Sequence, residues 1–426
     1  MKMSQRLVLL CCFVFMFVFD TTFAQTLQSM KTLMTNLTDT YNKNIRPVKN
    51  QATPVSAYVE FMLLSMQDFD EVEEKLSIVA GMGIIWNDAN MVWDPSSFGN
   101  ITKVFFSYKD VWVPDVVLSN PYDAISTFGE DWQKIAYTYD GAALWPTGNV
   151  MHTKCSVDVR FYPFDSQTCT ISLYPWGYSY TEVMLHTVSD RIETSQYSDG
   201  GSWELVSTST KSMVNVIWSS VEFTLTFKRK ATYVIVNVIL PIIFLGLLNV
   251  LVFVLPPESG ERVSYAITVL LAVSVFLTIV GDNLPKTSEP MAFLSYFLVL
   301  DLALSAVVTL VTVLNLKVYH NQDNSNKKVP RILRSIAKLM KCCDSKVKPI
   351  DMDAIYKDDE KPKISKTILV QCQGVLDENA TVCSEEECIT WKNASKAMDK
   401  LSFLTFMFLK VANIVWFIIA TASNRA

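Results

Sequence analysis

The stretch Cys155-Ser156-Val157-Asp158-Val159-Arg160-Phe161-Tyr162-Pro163-Phe164-Asp165-Ser166-Gln167-Thr168-Cys169 sets two cysteines thirteen residues apart around an aromatic-proline-aromatic-aspartate centre. Which compartment those thiols occupy depends on the rest of the chain, 426 residues of which 50% are hydrophobic. Lys2 and Arg6, the apolar run Leu7 to Phe19 and the small-residue site Thr22-Phe23-Ala24 read as a signal peptide over 1–24, because thirteen apolar residues are short for a bilayer. Apolar runs of spanning length follow at about Tyr233 to Leu255, Val263 to Val280, Met291 to Leu314 and Leu401 to Ala422.

Four spans after a signal put residues 25–230 and the tail 423–426 outside, and the segment 317–400 between spans three and four inside. The basic cluster Lys327, Lys328, Arg331, Arg334, Lys338, Lys341, Lys346 and Lys348 agrees with that orientation. Of nine cysteines, Cys11 and Cys12 leave with the signal, and Cys342, Cys343, Cys372, Cys383 and Cys388 face reducing cytosol. Cys155 and Cys169 are left to pair with each other, a closure worth about 3 kcal/mol in the chain-entropy account. Asn36 and Asn100 stand in glycosylation sequons on the outer side.

The outer segment opens with Leu27, Met30, Leu33, Met34 and Leu37 at helical spacing, then turns to short stretches punctuated by Asn, Asp, Gly and Pro. That predicts an all-β fold after one helix. In its last strand Val221, Phe223, Leu225 and Phe227 alternate with Glu222, Thr224, Thr226 and Lys228. The strand enters the first span through Lys228-Arg229-Lys230 with no linker.

The second span carries a stripe at spacings of three and four: Glu261, Ser264, Thr268, Leu271, Val275, Thr278 and Asp282. Hydroxyls in a span commonly bond back to the backbone, which accounts for Ser and Thr but not for carboxylates closing the stripe at both ends. A polar stripe capped by acids predicts a water-filled path lined by several copies of the helix. Rings of carboxylates admit cations, and rings of Leu271 and Val275 close a narrow path by dewetting.

These residues resemble the pentameric Cys-loop ligand-gated ion channels, and the nicotinic acetylcholine receptor branch in particular, over essentially the whole mature chain. The cysteine loop with Tyr162-Pro163-Phe164-Asp165, the Trp112-Val113-Pro114-Asp115 motif, Tyr233 to Pro241 and the pore entrance Ser259-Gly260-Glu261-Arg262 carry the resemblance. It implies an extracellular β-sandwich, a four-helix transmembrane bundle, four further subunits, a plasma-membrane and synaptic setting, a small-molecule agonist, and permeating monovalent cations, with calcium left open. In the family's aromatic agonist box, Trp176 matches the central tryptophan and Trp218 a tyrosine position. Ser119, Thr210 and Gly81 stand where rings are expected, and no adjacent cysteine pair lies between Ser207 and Trp218. The resemblance further implies coupling through Glu71 and Arg229, and contact of the loop tip with Leu284-Pro285-Lys286.

Ile332, Leu333, Ile336, Leu339 and Met340 form an apolar face opposite basic residues after Pro330, read as a helix lying on membrane lipid. Cys342 and Cys343 behind it are either lipidated or plain thiols. Residues 345–375 read as low order, and Glu385 to Lys400 as an amphipathic helix leading into the last span. Asp301 and Lys410 fall at similar depths in spans three and four, so an ion pair between them is expected, against the alternative of a snorkelling lysine. The scattered His152, His186 and His320 build no enzyme site, no metal or cofactor is expected, and a net charge of −5 without a basic stripe gives no case for nucleic acid.

Overall fold

The computed structural model describes residues 25–282, 284, 291–321, 329–340 and 390–422. The signal segment, Pro285 and Lys286, Cys342 and Cys343, the low-order stretch, Cys372, Cys383 and Cys388 and the tail lie outside the described residues. Two units emerge, one built from the strands and one from the long helices.

The β-rich unit starts with helix α1, Leu27–Thr38, whose Thr26 side chain caps the Ser29 N–H and whose Leu33 and Leu37 are buried. Ten strands follow: β1 Val55–Asp70, β2 Lys75–Val92, β3 Lys103–Ser107, β4 Val116–Leu118, β5 Lys134–Thr138, β6 Asp140–Lys154, β7 Ser166–Pro175, β8 Val183–Thr187, β9 Trp203–Val214 and β10 Ser219–Arg229. They form a six-stranded sheet of order β3-β5-β6-β2-β1-β8 and a four-stranded sheet of order β4-β7-β10-β9. On β10 the alternation is literal: Val221, Phe223, Leu225 and Phe227 are buried, and the residues between them are partly exposed. Phe61 of β1 stacks on Phe223 with ring centroids 4.6 Å apart, joining the two sheets through the core. Cys155 and Cys169 are disulfide-bonded, and Cys169 pairs with Leu225 on β10, so the loop is tied to the strand that ends the unit.

Among the described residues of the helical unit, four helices are long and apolar enough to cross a bilayer: α2 Thr232–Phe253, α3 Arg262–Asp282, α4 Phe293–His320 and, after the short α5 Arg331–Leu339, α6 Trp391–Ala422. A wider π-helical turn over Ile235–Ile239 precedes Pro241, whose ring cannot sit in a regular turn and which offers no N–H. Helix α4 runs two turns beyond the apolar run read from sequence, and α6 is continuous across residue 400 with no break before the expected span.

Helix α5 departs from its sequence reading. Ile336, Ala337 and Met340 pack around Ala397 of α6, while Ile332 and Leu339 stay 76% exposed. The small side chains of Ala337 and Ala397 let the two helices approach closely, so α6 covers part of the apolar face and Ile332 and Leu339 stay exposed.

A polar seam crosses the bundle. Lys410 Nζ lies 2.6 Å from Asp301 Oδ1 and also donates to Ser305 Oγ at 3.0 Å, with the two charged side chains 1% and 4% exposed. Gly246 of α2 makes room for the carboxylate, since a Cβ there would come within 3.0 Å of Asp301 Oδ1. Lys410→Met leaves a buried carboxylate without its counter-charge and is expected to cost about 3–5 kcal/mol. The fall should appear in the thermal midpoint of the detergent-solubilised protein, with most of it recovered in K410M/D301L. A K410M protein as stable as the parent would remove the pair from the account.

Candidate functional site

The turn after β1 holds four acids, and the hydrogen bonds separate their roles. Asp70 Oδ1 accepts the N–H groups of Val72 and Glu73, both at 2.9 Å, so that carboxylate closes the turn. Glu73 accepts the Tyr122 hydroxyl at 3.0 Å, and Glu74 lies 4.0 Å from Lys154. Glu71 is the one that reaches Arg229, with Nη1 donating to its Oε1 at 2.6 Å.

Arg229 has a second carboxylate that sequence reading assigned only to the loop tip. Its Nε donates to Asp165 Oδ1 at 2.7 Å and its Nη2 to Oδ2 at 3.1 Å, a two-point grip of the kind a guanidinium fork favours. Its backbone N–H also donates to the Asp165 carbonyl at 3.2 Å, and the Trp203 ring lies 4.2 Å from the guanidinium carbon. Gln167 Nε2 donates to Asp165 Oδ2 at 2.6 Å and fixes the carboxylate from behind. Burial opposes the charge on Arg229, but Asp165 and then Glu71 override it and hold the guanidinium above its ordinary pKa. Tyr162 and Pro163 of the same loop are buried, Phe164 is partly so, and Pro285 lies outside the described residues.

A second cluster forms at the end of β7. Asp115, whose φ of 44° is one that aspartate tolerates better than most residues, accepts the Trp176 N–H on its carbonyl at 3.0 Å. The Trp112 indole of the same motif is buried and donates to the Tyr178 hydroxyl at 3.0 Å, so Trp112-Val113-Pro114-Asp115 is a support on which Trp176 is mounted. Trp176 is 58% exposed and Trp218 37%. Between them stands Tyr174, with ring centroids 6.0 Å from Trp176 and 5.3 Å from Trp218. Burial lifts its phenol above the ordinary value.

Sequence comparison missed Tyr174. The signal was available, because residues two apart on an extended chain share a face and Tyr174 therefore points with Trp176. Ser119 follows β4 beside this cluster, exposed, with its N–H on the Ser172 carbonyl at 2.8 Å and no ring to add. Thr210 is not brought to it: the register pairs Thr210 with Phe223 in mid-strand, whereas Trp218 stands at the β9–β10 hairpin, and the Thr210 hydroxyl donates to the Ser189 carbonyl. Gly81 sits on β2 of the other sheet, opposite Gly148, and a Cβ there would meet nothing within 4 Å. Asn36 and Asn100, the sequon residues, are both exposed.

Along α3, Glu261, Ser264, Thr268, Leu271, Val275, Thr278 and Asp282 are all exposed, and Arg262, Ala266, Val269, Val273 and Val280 are buried. The face that packs on neighbouring helices is thus the apolar one, apart from Arg262. Thr268 donates to the Ser264 carbonyl at 2.8 Å and Thr278 to that of Ser274 at 3.2 Å. These hydroxyls satisfy themselves on their own helix and still line an open face, so both readings of the stripe describe the same side chains.

Residues 30–231 match the neurotransmitter-gated ion-channel ligand binding domain, and residues 238–367 the neurotransmitter-gated ion-channel transmembrane region. The chain is 31% identical over 72% of its length to the acetylcholine receptor subunit alpha-type acr-16 of Caenorhabditis elegans, covering 63% of that protein. It is 29% identical over 73% of its length to the beta-type subunit lev-1 of Caenorhabditis elegans, covering 62% of it. With the neuronal acetylcholine receptor subunit alpha-6 of Mus musculus it shares 28% identity over 70% of its length and 61% of that protein. The matches thus span about three fifths of these relatives. Two family models, one over the strands and one over the first three long helices, and relatives named as receptor subunits lead to one conclusion: the chain belongs to the neurotransmitter-gated ion channels, in the family of nicotinic-type subunits.

Proposed function

We propose that the chain is one subunit of a pentameric, cation-selective channel of the plasma membrane, with α3 lining the path. The observation that carries this reading is the exposed stripe of α3, which is polar or small at its inner half, apolar at Leu271 and Val275, and acidic at both ends. Carboxylate rings at Glu261 and Asp282 would concentrate monovalent cations, and the Leu271 and Val275 rings would close the path by excluding water. No enzymatic step enters this reading.

The aromatic cluster of Tyr174, Trp176 and Trp218 is the candidate agonist face. A ring face attracts a quaternary ammonium by about 0.5–2 kcal/mol. Rings lacking at Ser119 and, on the facing subunit, at Gly81 therefore weaken such a ligand by about one to three orders of magnitude. A second reading follows: an accessory subunit that contributes pore and coupling to a mixed pentamer or answers a non-cholinergic ligand. Movement of the agonist face would pass to α2 through Arg229, which lies three residues before Thr232 and grips both Glu71 and Asp165.

Expressed alone in oocytes, the chain is expected to give no current to micromolar acetylcholine, while G81W/S119Y lowers the concentration at which current is seen. Micromolar responses from the unaltered chain would retire the depleted-box reading. Leu271→Ser is expected to wet the constriction and give a standing cation leak, which E261Q reduces; a leak with anion reversal would overturn cation selectivity. For the coupling node, E71R and R229E are each expected to abolish gating and E71R/R229E/D165N, which also removes the carboxylate that the R229E side chain would face, to restore part of it, scored against surface labelling. Equal failure of that triple variant would count against a charge pair as the coupling element.

A further inference from the structure

The residue next to Glu261 is an arginine, and a cation beside the inner carboxylate ring would cancel the field that the ring supplies. Arg262 is 2% exposed. Its Nη1 and Nη2 donate to Asp399 Oδ1 and Oδ2 at 2.9 and 3.0 Å, and its Nε donates to the Leu255 carbonyl at 2.6 Å, where Nη2 also donates. Asp399 belongs to α6, far along the chain, and is itself braced: Asn315 of α4 donates to its Oδ1 and also to the Ser395 carbonyl at 3.2 Å. Ser395 Oγ donates back to Asn315 Oδ1 at 2.9 Å. The start of α3, the α2–α3 loop, α4 and α6 thus converge on one guanidinium.

Glu261, one residue away, is exposed. Successive residues on a helix point about 100° apart, so the same turn that sends Glu261 into the open sends Arg262 into the bundle. Direction alone does not keep a long cation there, since an unpaired buried guanidinium would extend towards the nearest water. We propose that Asp399 is a positioning residue for conduction: it clamps Arg262 inside the bundle so that the inner mouth of the path carries the charge of Glu261 uncancelled. The proposal rests on the reading of α3 as the pore helix.

The test is single-channel recording from the L271S leak background. D399N is expected to lower inward monovalent-cation conductance by about twofold or more, most at low ionic strength where ring charges focus ions best. R262Q/D399N, which deletes the cation together with its clamp, is expected to return conductance to the background value. A role confined to structure predicts the opposite, because the double variant lacks the clamp altogether and would stay low. Conductance unchanged in D399N, or equally low in both variants, overturns the proposal. Where D399N fails to reach the surface, the swap R262D/D399R keeps the pair with its charges exchanged, and a conductance below background in the swap overturns the proposal. E261Q separates the two levels of inference. If E261Q lowers conductance and D399N does not, the clamp alone fails; if L271S is silent or E261Q is without effect, the pore reading fails and takes the clamp with it.

Discussion

A buried arginine that cannot shed its proton must be met by carboxylates wherever the chain places it, and Arg229 imposes that condition on two other segments of the β-rich unit. Its partners are Glu71 from the β1–β2 turn and Asp165 from inside the disulfide loop, separated from it by 158 and 64 residues. Deleting one partner of such a pair typically costs about 3–5 kcal/mol, a large part of a domain's net stability. The requirement also explains neighbouring choices. Gln167 holds Asp165, Trp203 covers the guanidinium, and the covalent Cys155–Cys169 closure limits how far the segment bearing Asp165 can wander when the arginine is not yet in place. The loop motif is therefore more than a tip: its aspartate is the inward-facing counter-charge of the strand that leads to the first helix.

The helical unit repeats the device on α6. Asp399 meets Arg262, and Lys410, eleven residues and about 16 Å further along the helix, meets Asp301. Both pairs are buried, and neither adds much stability over a well-packed apolar alternative. What they add is register. A helix packed on its neighbours only through Leu, Val and Phe can slide or rotate at little cost, whereas one carrying two charges at fixed separation has a single setting in which both are satisfied. By contrast the exposed Lys109–Asp131 and Lys230–Asp199 pairs are open to solvent on both sides and constrain nothing of comparable consequence.

Legibility in the sequence followed the range of the interaction. Alternation on β10, the α1 periodicity and the four apolar runs are local patterns that the structure has as read, and the residues of the α3 stripe are exposed along one helix. Asp301 with Lys410 was also within reach, because two apolar runs give depth a ruler against which isolated charges can be matched. Asp399 had no such ruler: it sits among Lys396, Lys400 and other charges of a stretch that reads as amphipathic, and its partner lies 137 residues away. Asp165 was read for the motif it belongs to and not for what its carboxylate must neutralise. Thr210 stands near an expected ring position by resemblance, but the register of its strand with β10 sets it apart from Trp218. On α5 the periodicity marks the apolar face but does not reveal that a second helix covers Ile336, Ala337 and Met340.

Exposure by itself does not identify a water-filled face, since a single chain of a membrane protein exposes whatever meets lipid as well. The chemistry of the exposed faces discriminates. On α4 the exposed residues include Val299, Leu300, Val307 and Leu310, and on α6 they include Leu404, Phe408, Ile418 and Ile419, all of them side chains suited to hydrocarbon. On α3 the exposed residues include Ile267, Leu271, Val275 and Ile279 but also Ser264, Thr268, Thr278 and Asp282, with the carboxylate of Glu261 just before the helix. Among the described residues neither Glu261 nor Asp282 has a cation against it, although Arg262 is adjacent to one of them and is committed to Asp399 instead. A helix that buries its arginine, leaves its acids exposed and backs its hydroxyls onto its own carbonyls fits the proposed cation path. That arrangement supports the pore assignment independently of any resemblance.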